Sequence, residues 1–483
     1  MADKRKIALF TAGGLLALLI LAAVALVLFV DVNAYKPRLE AALSDALGME
    51  VRIGGRLGIG LFPGLHATLE DVRIRNRGAD VASAKETSLG IELLPLLYKE
   101  VRVVKIGMKR PRISIEQDRN GKFNFETPEE EAGKKTAGET GGMRFSLEVA
   151  NISLSDGALF YADRKTGEDL EAGGFTLAVS RLRLTGGKHP GLLKNLSFAA
   201  EFACREFRKG SLAVSNLKLR IEGKDGVLDF KPVTMRIFGG QGSGSLRADL
   251  SGSVPIYDVR YSLSMFRIED FFKTLSPQKI AEGSMDFSSS LSMRGTTANE
   301  MKRTANGEVS LRGKDLMITG IDFDRVFSRY EASQSFNLVD VGAFFFAGPF
   351  APLITKGYDF ASLFRGSGGS SRIPALVSDW KVERGIARAV DVAMATSENR
   401  IALRGSLDFV NERFDDVSVA VVDGKGCAKM RQKIRGPFRK PVVEKVSVLQ
   451  SVTGPVLKLF KQAKELLGGR CEVFYAGSVA PPK

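Results

Sequence analysis

Only two histidines, one tryptophan and three cysteines occur among the 483 residues, so chemistry that needs clustered imidazoles or thiolates has little to work with. His66 and His189 each stand beside turn-forming residues, and neither belongs to an HxH, HExxH or mixed Cys/His pattern with metal-ligand spacing. Both read as surface or structural side chains. The glycine-rich run Gly240-Gln241-Gly242-Ser243-Gly244 is followed by no Walker lysine, and Leu246 to Leu250 reads as strand, so the run is expected to be a turn rather than a phosphate cradle. Acidic pairs such as Asp415-Asp416 are common at strand ends and specify nothing without geometry. The expectation is a non-enzymatic protein with no catalytic residue, no metal ligand and no cofactor. Of the cysteines, Cys204 alternates with Phe198, Ala200 and Phe202 and is expected to be a buried thiol. Cys427 and Cys471 lie in less regular C-terminal segments and are the natural disulfide candidates in an oxidising compartment, worth about 4 kcal/mol in the chain-entropy picture. Free thiols are the alternative.

Long apolar runs are equally scarce. Ile7 to Val30 contains 24 uncharged residues, and nothing later in the chain matches it. As a helix it would extend roughly 36 Å, enough to cross a bilayer core with some tilt. Lys4, Arg5 and Lys6 precede it and Asp31 follows, which keeps the N-terminus in the cytoplasm and sends the bulk of the chain across. A cleaved signal peptide is the alternative, but Val32-Asn33-Ala34 is a poor cleavage site. Lysine and arginine outnumber aspartate and glutamate, 70 to 55, for a formal charge of +15. A translocated chain does not normally meet nucleic acid, so membrane headgroups are the expected anionic partner, with solubility alone as the other reading. The densest basic stretch is Lys425, Lys429, Arg431, Lys433, Arg435, Arg439, Lys440 and Lys445, opposed only by Glu444.

With 51 glycines and 17 prolines the chain reads as many short elements joined by turns. A helix is predicted from Asn33, its cap, through Pro37 in the first turn to Gly48, with Leu39, Leu43, Ala46 and Leu47 on one face. Period-two alternation then sets in at Val51 and Ile53 and at Leu57, Ile59 and Leu61. Glu126 to Gly142 has no apolar period and reads as a charged linker or loop, after which strands resume from Met143 to about Gly313, with turn signals such as Asp225-Gly226. At Glu70-Asp71, Ala150-Asn151, Ser180-Arg181 and Ser215-Asn216 the alternation skips a step yet keeps its face, which predicts β-bulges and a sheet curled along its length. A large β-sandwich is the alternative. Phe323, Val326, Phe327 and Tyr330 have helical spacing, and Val341 to Ile354 is a phenylalanine-rich run. Phe344, Phe345, Phe346 and Phe350 are its lid or interface candidates, with ordinary core as the other reading. Strands return through Trp380, and Val456, Leu459, Phe460, Ala463 and Leu467 predict a final amphipathic helix. The resulting organisation is a cytoplasmic tail (1–6), a transmembrane helix (7–30), an N-terminal β region with a leading helix (31–125), the linker (126–142), an extended β-sheet region (143–321), a helical and apolar insert (322–371) and a C-terminal β region (372–483).

The chain resembles the AsmA family of bacterial envelope proteins over nearly its whole length. The likeness rests on the anchor with Tyr35-Lys36-Pro37, on VRIGGRLGIGLFPGLHATLEDVRIRN from Val51 to Asn76, and on FGGQGSGSLRADL from Phe238 to Leu250. It rests most specifically on GYDFASLF from Gly357, DWKVERGIARAVDVAMATSENRIALRGSLDF from Asp379, and GCAKMRQKIRGPFRKPVV from Gly426. The resemblance implies an inner-membrane protein whose periplasmic part is an elongated, curled antiparallel β-sheet with an apolar groove and a few flanking helices. It implies a link to phospholipid transport between inner and outer membranes and to outer-membrane integrity, and it supplies no catalytic residues. The groove candidates are Phe175, Leu177 and Val179, Leu212 and Val214, Leu217, Leu219 and Ile221, and Leu263 and Met265. The partners expected are phospholipid acyl chains and the inner membrane. The alternative function is an anchored, non-catalytic scaffold that acts on outer-membrane protein assembly through envelope partners.

Overall fold

In a computed structural model, residues 32–60, 64–92, 95, 98, 100–126, 144–184, 192–274, 280–330, 368–444, 447–448 and 473–482 are described. The run Ile7–Val30 with Lys4, Arg5 and Lys6, His189, the phenylalanines Phe344, Phe345, Phe346 and Phe350, the predicted final helix and Cys471 lie outside them, as does nearly all of the loop Glu126–Gly142. Among the described residues no helix is long and apolar enough to cross a membrane. The chain is mainly β and divides into two compact units, residues 1–185 with 197–210, and 186–196 with 211–483.

In the first unit a 3-10 turn, Val32–Tyr35, leads into α1 (Lys36–Leu47) and then β1 (Glu50–Ile53), β2 (Leu57–Gly60), β3 (His66–Asn76), β4 (Ala79–Ile91), β5 (Glu100–Lys109), β6 (Arg112–Gln117), β7 (Arg144–Asp163), β8 (Glu168–Leu184) and β9 (Leu196–Lys209). The predicted helix forms and stops at Gly48, whose φ of 64° is easy for a residue without a Cβ. Asn33 does not cap it. Its Oδ1 accepts the Leu57 N–H at 2.9 Å, Lys36 Nζ donates to the Gly55 carbonyl at 3.1 Å, Glu40 accepts the Ile53 N–H at 2.6 Å, and Ser44 Oγ accepts the Val51 N–H at 2.8 Å. Positions 33, 36, 40 and 44 make one stripe at helical spacing. They meet backbone groups 57, 55, 53 and 51 in reverse order, so polar side chains supply what a neighbouring strand would.

The expected all-antiparallel sheet needs one correction, because β5 and β6 both run parallel to β7. The chain reverses at Arg110 and Pro111 only enough to kink, so β5 pairs with the first half of β7 and β6 with the second. Parallel neighbours cannot be joined by a hairpin, and residues 118–143 are the crossover this geometry requires. The sheet is therefore mixed.

The second unit is an antiparallel meander: β10 (Leu212–Lys224), β11 (Val227–Ile237), β12 (Gly240–Asp249), β13 (Ile256–Arg267), β14 (Ala281–Arg294), β15 (Asn306–Thr319), β16 (Ser370–Glu383), β17 (Ile386–Ala395), β18 (Arg400–Asp408), β19 (Arg413–Val422) and β20 (Ala428–Pro437), ending in the two-residue β21 (Val442–Val443) and β22 (Ser447–Val448). Asp225 and Gly226 take φ of 50° and 83°, the left-handed pair a type I′ hairpin needs. Among the described residues three short helices interrupt the meander, α2 (Ile268–Phe272), α3 (Ala298–Thr304) and α4 (Phe323–Tyr330). The last is the predicted helix, and its Phe323 and Phe327 are buried. They join one core with Phe272, Leu316, Ile318, Ile373, Trp380 and the inner residues of β17 to β20.

Where the alternation skips, Asp71, Arg181 and Asn216 take the left-handed φ of 49°, 55° and 52°. At Asn216 this is a bulge, the β10–β11 register shifting between Ser215 and Lys218, whereas at Asp71 the β3–β4 register continues unbroken from Glu70 to Val72. At Ala150-Asn151 the parallel register with β5 shifts between Val103 and Lys105. The same device recurs at Asp156, Met265, Asp315 and Asp416, each with φ near 50° and a register shift beside it. Asp and Asn dominate because they tolerate the left-handed region best after glycine. Gly283 and Gly405, on the neighbouring strands, have φ of 127° and 119° and lie against Leu316 and Asp416. Adjacent strands thus kink together, and each kink bends the strand while returning the next apolar residue to its face.

Candidate functional site

The bulges leave one face of many strands apolar and half-open. In β10, Leu212, Leu217, Leu219 and Ile221 are half-buried and Val214 is buried, while Asn216, Lys218, Arg220 and Glu222 are exposed. In β8, Phe175 is buried and Leu177 and Val179 are half-buried, with Thr176, Ala178 and Ser180 exposed. Phe175 stacks on Phe202 of β9, whose Cys204 is a free, buried thiol raised in pKa by that burial. Across β12, β13 and β14 the apolar face runs in register: Leu246, Val259 and Leu291 are aligned, as are Gly242, Leu263 and Phe287. Met265 is a correction. It occupies the bulge with φ of 53°, is 71% exposed, and cedes the inner position to Phe266. The other nine groove candidates occupy the less exposed face.

The glycine-rich run is also corrected, from turn to strand. It opens β12, and Gly240, Gly242 and Gly244 alternate with polar Gln241 and Ser243. A Cβ at Gly242 would fall 2.4 Å from the Tyr261 hydroxyl, and at Gly240 and Gly244 it would meet the backbone of β13 at Ser264, Phe266 and Arg260, so these glycines let β13 approach closely.

A cavity of about 710 Å³ lies across β13 to β17 and is lined largely by serines and charged groups, including Ser262, Ser288, Ser310 and Asp379. Its polar groups answer one another: Ser310 donates to Asp379 at 2.5 Å and Arg312 pairs with Asp379 at 2.8 Å. Among the described residues no group of three His, Cys, Asp or Glu side chains is placed to hold a metal.

At the other extreme, Val392–Ala395 of β17, Arg400–Leu403 of β18 and Val417–Val422 of β19 are covered on both faces. The inner face joins the large core, and the outer face, built from Ala393, Ala395, Ala402, Ala420 and Val422, is covered by Phe474, Tyr475 and Val479 of a C-terminal strap, residues 473–482. Tyr475 donates its hydroxyl proton to Asp391 Oδ1 at 2.6 Å, and the Ser478 N–H donates to Oδ2 at 2.9 Å. Burial alone would raise the Asp391 carboxyl, but these hydrogen bonds outweigh it and hold it below its ordinary range. Burial, then the bond to Asp391, pushes the Tyr475 phenol well above its own. Arg400 donates to the Val479 carbonyl at 2.9 Å and lies over the Tyr475 ring, and the guanidinium groups of Arg404 and Arg431 lie over the ring of Phe474. Cys427 pairs with Val473 in a bridge and is disulfide-bonded.

The sequence model of the AsmA family matches residues 1–185 and 193–348. The chain belongs to the AsmA family. Membership is consistent with a role at the cell envelope. In this AsmA-family chain the matched residues contain α1 with its hydrogen-bonding stripe, the left-handed strand positions from Asp71 to Asp315, and all ten groove candidates. The motifs from Gly357 to Val443, expected to be the most specific, lie beyond the match, as does the strap. No curated protein and no solved structure matches the chain. The strap and the stripe on α1 were not anticipated. Only the helical spacing of Asn33, Lys36, Glu40 and Ser44 signalled the second, and nothing in VFYAGSVAPP announces the first.

Proposed function

We propose that this protein, held in the inner membrane by Ile7–Val30 with its bulk in the periplasm, supports phospholipid transport between inner and outer membranes, and through it outer-membrane integrity. Acyl chains would travel against the apolar β face, with no covalent chemistry and no cofactor. One observation carries the reading: within each unit an apolar face stays half-open while the opposite face is polar and exposed, at Leu177 and Val179 of β8 in the first and at Leu217, Leu219 and Ile221 of β10, Val259 of β13 and Leu291 of β14 in the second. A closed core would bury such side chains as fully as Val417 and Val419, which are 0% exposed. An acyl chain leaving a bilayer loses about 0.8 kcal/mol per CH₂, and a continuous apolar face removes that barrier by burial alone.

Photocrosslinkers at half-buried Leu177, Leu219 and Val259 should label lipid in cells, while one at exposed Arg220 should not. Equal labelling at all four positions, or none, would favour the anchored scaffold instead.

A further inference from the structure

The outer face of β20 carries Lys429, Arg431, Lys433 and Arg435 at alternate positions, about 7 Å apart along the strand. Lys425 precedes them and Arg439 and Lys440 follow, so residues 425–444 hold seven basic side chains against the single acid Glu444. Arg435 pairs with Glu444 at 3.0 Å, Lys433 reaches Asp416 of β19 only at 3.8 Å, and Arg431 is engaged with Phe474. Lys425, Lys429, Arg439 and Lys440 are exposed and, among the described residues, pair with no acid. Arg413, opposite Pro437 in the β19–β20 register, is another exposed cation. Charges left unanswered at this spacing repel one another, and a surface that concentrates them is complementary to a dense array of anions.

We infer that the outer face of β20 with its flanking turns is a docking surface for an anionic phospholipid bilayer. The inference rests on the lipid-transport reading, which calls for a membrane contact where the meander ends. The cations sit on the last long strand, beyond the half-open strands β10 to β14, and they face away from the core that Gln432 and Ile434 enter. Each Lys or Arg close to an anionic leaflet strengthens binding about five-fold at physiological salt, so several acting together give a specific, salt-sensitive attachment.

The full chain, reconstituted in phosphatidylcholine vesicles with its β units outward, should capture added vesicles containing phosphatidylglycerol and ignore pure phosphatidylcholine. Capture should weaken about ten-fold or more between roughly 0.05 and 0.3 M salt. Substituting Lys429, Lys433, Arg435, Arg439 and Lys440 by Gln should weaken it at least about a hundred-fold. A charge-matched control with Arg73, Arg77, Lys85, Arg119 and Lys122 changed to Gln should behave as wild type. Equal loss in both variants, or capture of neutral vesicles, would overturn the inference. Capture of polyglutamate with no capture of anionic vesicles would also overturn it and point to an acidic protein. Acyl crosslinking at Leu219 in the same variants reads the groove separately, so loss of docking with labelling intact leaves the transport proposal standing.

Discussion

In β10, Leu217, Leu219 and Ile221 sit half-open between exposed Lys218 and Arg220, whereas in β19 every residue from Val417 to Val422 is buried. Both strands belong to one meander and pair by the same antiparallel rules. What differs is the number of covers. The face of β10 that bears its aliphatic residues stays half-open and the other stays wet, so its sequence alternates. β19 has the core with α4 on one side and the strap on the other, so it reads as the unbroken VSVAVV. Its outer face is made of Ser418, Ala420 and Val422 because a strap that lies flat against a strand leaves no depth for larger side chains. The same fold thus contains a closed end that behaves as a protein core and a longer stretch that does not.

The sharpest way to break the comparison is to place one charge in each region. Val419→Asp should cost about 4 kcal/mol or more and abolish cooperative melting of the second unit, because the carboxylate has neither water nor partner there. Leu219→Asp, with solvent at hand, should cost less than about 1.5 kcal/mol. Equal shifts in melting temperature would mean that β10 is closed after all. Next in size is the link at Cys427. Non-reducing peptide mass analysis should find it joined to Cys471, with Cys204 free, and Cys427→Ser should cost about 3 kcal/mol. Gly426→Val should release the strap at a cost of about 2–4 kcal/mol, since φ is 85° and a Cβ would lie 1.9 Å from the Tyr475 carbonyl. Faster proteolysis within residues 473–482 would report it, and unchanged cleavage would show that the strap does not depend on this turn.

Smaller effects sharpen the boundary. Tyr475→Phe should cost about 1–2 kcal/mol by leaving Asp391 short of a donor. Because the Asp391 carboxyl is lowered, its contribution is complete above the ordinary carboxylate range and is lost as pH falls through its lowered value. The raised Tyr475 phenol keeps the strap bonded as pH climbs through the ordinary tyrosine range. Hydrogen-exchange protection at residues 474–479, taken relative to the intrinsic rate at each pH, should therefore fall in acid and hold steady into alkaline solution. Last, Asn216→Ala should cost about 1 kcal/mol, for a left-handed residue with a Cβ and no amide, while Asn216→Gly should be nearly neutral. A larger alanine penalty at the equally left-handed Asp416 would show that bulges matter more in the doubly covered end.

Period-two alternation made the strands and the half-open faces legible, and paired residues without glycine marked the left-handed positions Asp71, Arg181 and Asn216, of which Asn216 is a bulge. Met265 was misplaced because Ser264 and Met265 form the same kind of skipped pair, and methionine disguises it as an apolar position. The parallel strands β5 and β6 could not be read, since alternation records burial and not direction. Nor could the glycines of β12, which answer to the close approach of the neighbouring strand and of Tyr261.

The stripe of Asn33, Lys36, Glu40 and Ser44 along β1 and β2 has a consequence for ancestry. A sheet whose first margin is stoppered by side chains cannot accept another strand there, so any lengthening by hairpin duplication must insert later in the chain. The first unit would then be the fixed terminus of a series of variable length. Shorter and longer relatives would differ in the number of hairpins after the helix, while Asn-x-x-Lys-x-x-x-Glu-x-x-x-Ser stayed in step with the first two strands.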